Sequence, residues 1–176
     1  MKGWHWIRAD RTLRTGEPVV AGGVYRAVGP LRMCRNGVHA SRRALDALQY
    51  APGPVICAVE LVGEIQHDID KSVARERRVL WLADATDILH EFACAVATDA
   101  LQVAEAHGGT VNPRSRAAIK TKGRWLRGLA TEEHLAAARA AAWAAARAAT
   151  GVAAWAAWAA WDAAWDAAWD AAWDAA

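Results

Sequence analysis

The C-terminal part of the chain repeats Trp-Asp-Ala-Ala, and this pattern restricts the possible folds more than any other feature. In residues 131–176, 25 of 46 residues are Ala and seven are Trp. Ala has the highest helix propensity of the amino acids, so we expect this tail to be helical, with a break near Thr150-Gly151. Thr131, which two Glu residues follow, is a typical helix start because acidic side chains interact favourably with the N-terminal end of the helix dipole.

The Trp residues of the tail fall on one face of this predicted helix. At about 100° per residue, the steps of three and four residues keep six indoles within about 120° of the helix circumference. They are Trp155, Trp158, Trp161, Trp165, Trp169 and Trp173. Each indole buries about 150–250 Å² when packed, so the stripe is expected to pack within the chain or against another copy. Membrane-surface binding is disfavoured because the polar face carries Asp instead of Lys or Arg.

The distribution of charge divides the chain into three segments. Residues 1–105 carry 13 basic and 13 acidic residues, whereas residues 106–131 carry six basic residues and no acidic one. Residues 132–176 carry two Arg against six acidic residues. The predicted segments are a globular domain over 1–107, a basic connector over 108–130 and an Ala/Trp-rich helical tail over 131–176.

The first segment has the hydrophobic patterns of a small α+β domain, with a mixed sheet and one long helix. Strands are predicted at residues 4–7, 24–28, 55–62 and 79–82. Helices are predicted at residues 41–50 and from Asp84 or Thr86 to about His107, where Gly108-Gly109 ends the second one. The buried stripe of the long helix is expected to contain Ile88, Leu89, Phe92, Val96 and Leu101.

The cysteines indicate a reducing compartment, because Cys34, Cys57 and Cys94 are odd in number and form no Cys-x-x-Cys pair. We therefore expect a cytoplasmic protein. Cys34 and His39 have no second pair of ligands, so no metal site is predicted. The sequence has no charge-free apolar run of the roughly 20 residues that a membrane span needs, and its first ten residues lack the apolar core of a signal peptide.

Several motifs in the first hundred residues resemble a domain of unknown function found in phage and prophage proteins. They begin with Tyr25-Arg-Ala-Val-Gly29 and continue with Cys34-Arg-Asn-Gly37-Val-His39-Ala. A short helix that ends in Tyr50, a Val-x-x-x-Gly-x-Ile segment at residues 59–65 and a Lys at position 71 complete the set. The resemblance covers about residues 2–100 and extends to the alanine-rich C-terminus. It implies a phage or prophage origin, in a bacterial host cell, and brings no established activity.

A second segment is similar to ADP-ribosyltransferases. Gly37-Val-His39-Ala-Ser41, which is followed by a helix ending in Tyr50, looks like the strand end and nicotinamide-stacking Tyr of those enzymes. The resemblance implies that Arg26 holds the ribose and that Glu60, or alternatively Glu64, stabilises the transition state. The candidate catalytic residues are then Arg26, His39, Tyr50 and Glu60, with NAD as the cofactor. Neither the usual first motif nor the terminal Glu motif of that family is present.

The basic connector suggests a third function. Its six cations are candidate anion-binding residues, and Trp125 lies among them as a possible stacking partner for a base. They are Arg114, Arg116, Lys120, Lys122, Arg124 and Arg127. No known nucleic-acid-binding motif accompanies these charges, so a solvated connector that balances the acidic tail is the alternative interpretation.

These observations lead to three hypotheses. The first is a phage-type interaction or assembly protein without a cofactor, whose Trp stripe packs helices and makes the chain a homo-oligomer. The second is an ADP-ribosyltransferase-like protein that binds NAD or a nucleotide near His39 and Tyr50. The third is nonspecific nucleic-acid binding through the connector.

Overall fold

The computed structural model describes residues 1–148, and the predicted Trp stripe and the break at Thr150-Gly151 lie outside the described residues. The chain forms two compact units, Met1–Thr86 and Asp87–Ala176. We call them the N-terminal unit and the C-terminal unit. The predicted boundary lies at residue 107, so the structure divides the chain earlier and places most of the long helix in the C-terminal unit.

The N-terminal unit contains a five-stranded antiparallel sheet and one short helix, which confirms the predicted α+β class. Its elements are β1 (Lys2–Ile7), β2 (Val24–Arg26), β3 (Val38–Ala40), α1 (Ala44–Leu48), β4 (Val55–His67) and β5 (Ser72–Asp84). The strand order is β1-β4-β5-β2, and β3 also pairs with β5. β3 occupies positions 72–74 of β5, whereas β2 occupies positions 76–78.

The sheet forms because alternating apolar side chains of β4 and β5 cover one core. Val55, Cys57, Val59 and Leu61 alternate along β4 and are all buried. They pack with side chains from the other strands and from the loop before β2, namely Ile7, Val19, Tyr25, Ala40, Ala74 and Val79. The predicted strand over 79–82 is therefore the end of a much longer strand. The charged run from Arg75 to Arg78 concealed its first half.

The described part of the C-terminal unit consists of helices, namely α2 (Thr86–Ala106), α3 (Pro113–Leu126) and α4 (Glu132–Ala148). α2 and α4 begin where the sequence predicts, and Gly108 follows α2 with a φ of 79°. The structure corrects the predicted connector, because most of it is a helix. Asn112 caps this helix by accepting a hydrogen bond from the backbone N–H of Arg114 at 3.0 Å, with Pro113 in the first turn.

The predicted buried stripe of α2 is largely wrong. Leu101 is 1% exposed, and with it His90, Ala97 and Ala104 form the buried positions of the helix. The large apolar residues that were expected to be buried lie on another face. These exposed residues are Ile88, Phe92 and Val96, at 68%, 42% and 49%, together with Val103 at 57%. The buried face of α2 therefore combines Leu101 with small and polar side chains.

Candidate ligand-binding site

The N-terminal unit contains a cavity of ≈ 430 Å³ beside the β1 edge of its sheet. Trp4, His5 and Trp6 of β1 form part of its wall. The lining also includes the side chains of Arg14, Cys34, His39, Tyr50, Lys71 and Arg77. The volume is in the range of small-molecule sites, which are typically about 300–1,000 Å³.

Gly37 is required for the wall that carries His39. Its φ is 136°, a conformation that side-chain-bearing residues rarely adopt. A Cβ at this position would lie 2.1 Å from Cγ2 of Val73. Because Gly37 leaves this space empty, β3 lies against β5 and pairs His39 with Val73 in register.

The lining is cationic. Arg14, Lys71 and Arg77 contribute positive charge, and no Asp or Glu lies among the lining residues in the described part of the chain. A cavity with this charge attracts anions and excludes cations.

Arg77 has an unusual environment for a guanidinium group. It is 3% exposed, and its Nη1 donates a hydrogen bond of 3.0 Å to the backbone carbonyl of His39. Its Nε–H has no hydrogen-bond partner in the protein. Burial lowers the pKa of Arg77 to about 10, so the group remains charged at neutral pH. A buried charged donor without a partner is costly.

Lys71 and Tyr50 lie together at the cavity. The Lys71 ammonium is 4.3 Å from the centre of the Tyr50 ring and donates a 3.2 Å hydrogen bond to the Tyr50 hydroxyl. That hydroxyl donates in turn to Asp70 at 2.6 Å. Hydrogen bonds to the Cys34 thiol and the Tyr50 hydroxyl raise the pKa of Lys71 above its ordinary value. Lys71 is therefore a permanent cation in this site.

Two histidines add polar groups without adding charge. Burial lowers the pKa of His5 well below its ordinary value, and the nearby charge of Arg77 lowers it further. Burial also lowers the pKa of His39, and the cations Lys71 and Arg77 add to the effect. The His39 Nε2 accepts a hydrogen bond of 3.1 Å from the backbone N–H of Cys34. Both rings are therefore neutral near pH 7.

A comparison with protein-family models finds a match for the N-terminal part of the chain. Residues 1–91 match the model described as "Domain of unknown function (DUF7666)". The chain belongs to this family. No match was found among curated proteins or among solved structures. The cavity described above thus lies within the DUF7666 domain.

The DUF7666 domain brings together two of the four predicted catalytic residues. His39 and Tyr50 line the cavity, but Arg26 and Glu60 lie outside its lining. Arg26 is exposed and forms an ion pair of 2.8 Å with Glu76. Glu60 is half-buried on β4, opposite Lys2 of β1 in the strand register. The alternative, Glu64, is exposed and forms an ion pair with Arg75.

The sequence analysis did not predict the cations that make the lining of this cavity positively charged. Arg77 lies inside a charged run that was not included in the predicted strand over 79–82, although pairing with β4 and β2 makes the run a strand. Lys71 was noted within the motif set, but its contact with Tyr50 depends on the turn between β4 and β5. A continuous strand could have been predicted from Val73 and Val79, which flank the charged run. Arg77 lies an even number of residues from both, so all three side chains fall on the same face of one strand.

Five of the six predicted anion-binding residues lie on α3, and the sixth, Arg127, is the C-cap residue of this helix. Lys122 is 1% exposed and therefore cannot meet a phosphate from solvent. The other five are exposed. At about 100° per residue, Arg116, Lys120 and Arg124 fall within about 80° of one another and form a basic face. Arg116 also forms an ion pair with Glu105.

Lys122 belongs to a polar cluster inside the C-terminal unit. Its ammonium lies 3.9 Å from the centre of the Trp125 ring, and the His90 ring lies 6.2 Å from the same ring. Among the described residues of the C-terminal unit, four buried polar atoms have no hydrogen-bond partner, namely Lys122 Nζ, His90 Nε2, Ser115 Oγ and Arg139 Nε. Burial lowers the pKa of Lys122 to about 8 and that of His90 to about 4.

Residues 1–148 contain no group of three side chains that could hold a metal ion. Among their helices, none is long and apolar enough to cross a membrane.

Proposed function

We propose that the DUF7666 domain binds a small anionic ligand that carries a planar ring, as nucleotides do. The observation that carries this proposal is the charge of the cavity, which has Arg14, Lys71 and Arg77 in its wall. The ligand class agrees with the second hypothesis from the sequence, although the residues that support it are mostly different ones.

The anionic part of the ligand is proposed to bind Arg77. Phosphate and carboxylate groups form short, charge-assisted hydrogen bonds with guanidinium groups. Nη1 of Arg77 donates to the His39 carbonyl, whereas its Nε–H has no partner and is shielded from solvent. An anion that enters the cavity would therefore be attracted mainly by the positive charge of this side chain.

The ring of the ligand is proposed to stack on an aromatic side chain of the wall. Trp4, Trp6 and Tyr50 all line the cavity, and stacking of a base on an aromatic residue is worth about 1–3 kcal/mol. NAD and simple nucleotides both combine such a ring with phosphates. An ADP-ribosyl transfer needs a carboxylate as well, and Glu60 and Glu64 lie outside the lining. We therefore propose binding and not transfer; a phage origin stays a prediction.

Isothermal titration calorimetry with ATP, NAD and uncharged adenosine tests the proposal. We expect heat with the two anions and much less with adenosine. Arg77→Met and, as a second variant, Lys71→Met should each weaken binding about tenfold or more, the effect of losing one charged hydrogen bond. Arg78→Met is the matched control, because Arg78 is the exposed next residue of β5 and binds Glu76. Absence of heat with all three compounds would refute the proposal.

We also propose that the C-terminal unit mediates self-association, as the first hypothesis from the sequence states. The observation that favours it is the exposed apolar face of α2, formed by Ile88, Phe92, Val96 and Val103. The proposed occupant of this face is the Trp stripe of a second copy. The face runs over 15 residue steps from Ile88 to Val103, which is about 22 Å of helix. The stripe runs over 18 steps from Trp155 to Trp173, so the predicted helix would give it a length of about 27 Å.

Light scattering on the full chain tests self-association. We expect an oligomer for the natural sequence and monomers for Trp165→Ala with Trp169→Ala, as well as for Phe92→Glu. Leu129→Glu is the control, since Leu129 is 61% exposed but lies outside the α2 face. A monomeric natural sequence would refute the proposal. So would a tail variant that lowers the melting temperature without changing the mass, because the stripe would then pack within its own chain.

A further inference from the structure

The cavity wall contains a thiol in an unusual setting. Cys34 is exposed, unlike Cys57, which is fully buried, and Cys94, which is half-buried. Its φ of 60° lies in the left-handed region, which residues other than glycine adopt infrequently. Backbone strain of this kind occurs preferentially at functional sites.

Two neighbours hold Cys34 and modify its surroundings. His39 Nε2 accepts the hydrogen bond of the Cys34 backbone N–H at 3.1 Å, which fixes the loop. Lys71 lines the same cavity as Cys34. A positive charge in the wall attracts an anionic molecule towards the thiol.

Arg77 is a second, independent feature of the wall around this thiol. It lines the same cavity, is 3% exposed and has an unpartnered Nε–H. Together with Arg14 and Lys71 it surrounds the position with positive charge. A molecule that reaches Cys34 in this cavity is therefore selected for negative charge.

We propose that Cys34 is a modification site that undergoes thiol–disulfide exchange with disulfides of small anionic thiols. The inference rests on the proposed anion-binding cavity and adds a covalent step to it. The Cys34 thiol loses its proton to solvent, and its thiolate attacks one sulfur of the disulfide. A bond forms between Cys34 Sγ and that sulfur while the original S–S bond breaks. The second half leaves as a thiolate and takes a proton from solvent.

The exchange consumes one disulfide and produces one mixed disulfide, so no further oxidant is involved. The product carries the anionic group of the small thiol next to Lys71 and Arg77. It would also fill the cavity, so modification and binding of a free anionic ligand would exclude each other.

The test compares two disulfides of opposite charge on the full chain. Oxidised glutathione carries carboxylates, whereas cystamine carries ammonium groups. Mass spectrometry with peptide mapping measures the rate of mixed-disulfide formation at Cys34 for each. We expect oxidised glutathione to react at least about fivefold faster, the effect of roughly one exposed ion pair. Lys71→Met should reduce this preference, and Arg35→Met should keep it, because Arg35 is an exposed neighbour of Cys34 outside the cavity.

A neutral reagent separates this inference from the proposed function. Iodoacetamide measures the reactivity of Cys34 without a charge preference. Slow alkylation together with retained nucleotide binding would overturn the thiol inference and leave the binding proposal intact. Fast alkylation with equal rates for the two disulfides would overturn the selection for anions. The absence of any adduct at Cys34 with oxidised glutathione would overturn the inference outright.

Discussion

Replacement of Lys122 by Met is expected to stabilise the C-terminal unit. Lys122 is 1% exposed, and its Nζ has no hydrogen-bond partner. Its ammonium contacts the Trp125 ring at 3.9 Å, which compensates only part of the lost hydration. Met has a similar length and flexibility, so it can fill the space of the Lys side chain without its charge.

The pKa of Lys122 provides the size and the sign of the effect. Its decrease from 10.5 to about 8 corresponds to about 3 kcal/mol at about 1.4 kcal/mol per pKa unit. We expect a gain of about 1–3 kcal/mol, since the Trp125 contact is also lost. Because the folded-state pKa is below the unfolded-state value, the penalty is complete below pH 8. It disappears as the pH rises past 10.5.

Urea denaturation of both proteins at pH 7 and at pH 10.5 measures this difference. The variant should unfold at a higher urea concentration at pH 7, and the two proteins should converge at the higher pH. Lys120→Met is the control, because Lys120 is an exposed residue of the same helix. A variant that is less stable than the natural sequence at pH 7 would refute the reasoning, since it would show that the ammonium has a stabilising partner.

Three further predictions concern other sites. His90→Phe should reduce the loss of stability of the C-terminal unit below pH 6.5. Burial lowers the pKa of His90 to about 4, so protonation favours the unfolded chain. A variant whose urea midpoint falls with pH as steeply as that of the natural sequence would contradict this argument. Gly37→Ala should lower the urea midpoint of the DUF7666 domain more than Gly16→Ala. Both positions have positive φ, but only a Cβ at Gly37 meets another atom within 4 Å. Equal losses in the two variants would contradict the packing argument. Binding of single-stranded nucleic acid to the basic face of α3, measured by fluorescence anisotropy, should weaken steeply between about 50 and 200 mM salt, and binding that survives this change would require contacts other than phosphate.

The sequence predicted the strands and helices whose hydrophobic pattern is strong. The nearly continuous apolar run of residues 55–62 indicated β4, and the Ala-rich run after Thr131 indicated α4. The pattern failed where tertiary contacts determine the structure. The charged first half of β5 is a strand because β4, β2 and β3 pair with it. Likewise, α3 formed in a segment whose high charge suggested a connector, with Asn112 and Pro113 as the helix-start signals that we did not use.

The candidate site shows the same limit more clearly. Motif similarity selected His39 and Tyr50, which line the cavity, because both belong to one local segment of chain. It could not select Arg77, whose importance comes from burial and from the missing partner of its Nε. Burial results from the whole fold, so it cannot be predicted from neighbouring residues in the sequence. Arg26 and Glu60 were chosen by analogy and lie elsewhere.

The pairing of β5 with three other strands has a consequence for the order of folding. β4 and β5 are joined by a short turn, so their hairpin closes a small loop and forms early. β2 and β3 can add only when a template is present at the other edge of β5. The amides of β5 should therefore exchange with deuterium most slowly in this domain, while those of β3 exchange through partial opening. Such an opening would detach His39 while leaving Lys71 and Arg77 on the intact hairpin, so the cavity could admit a ligand without unfolding of the domain.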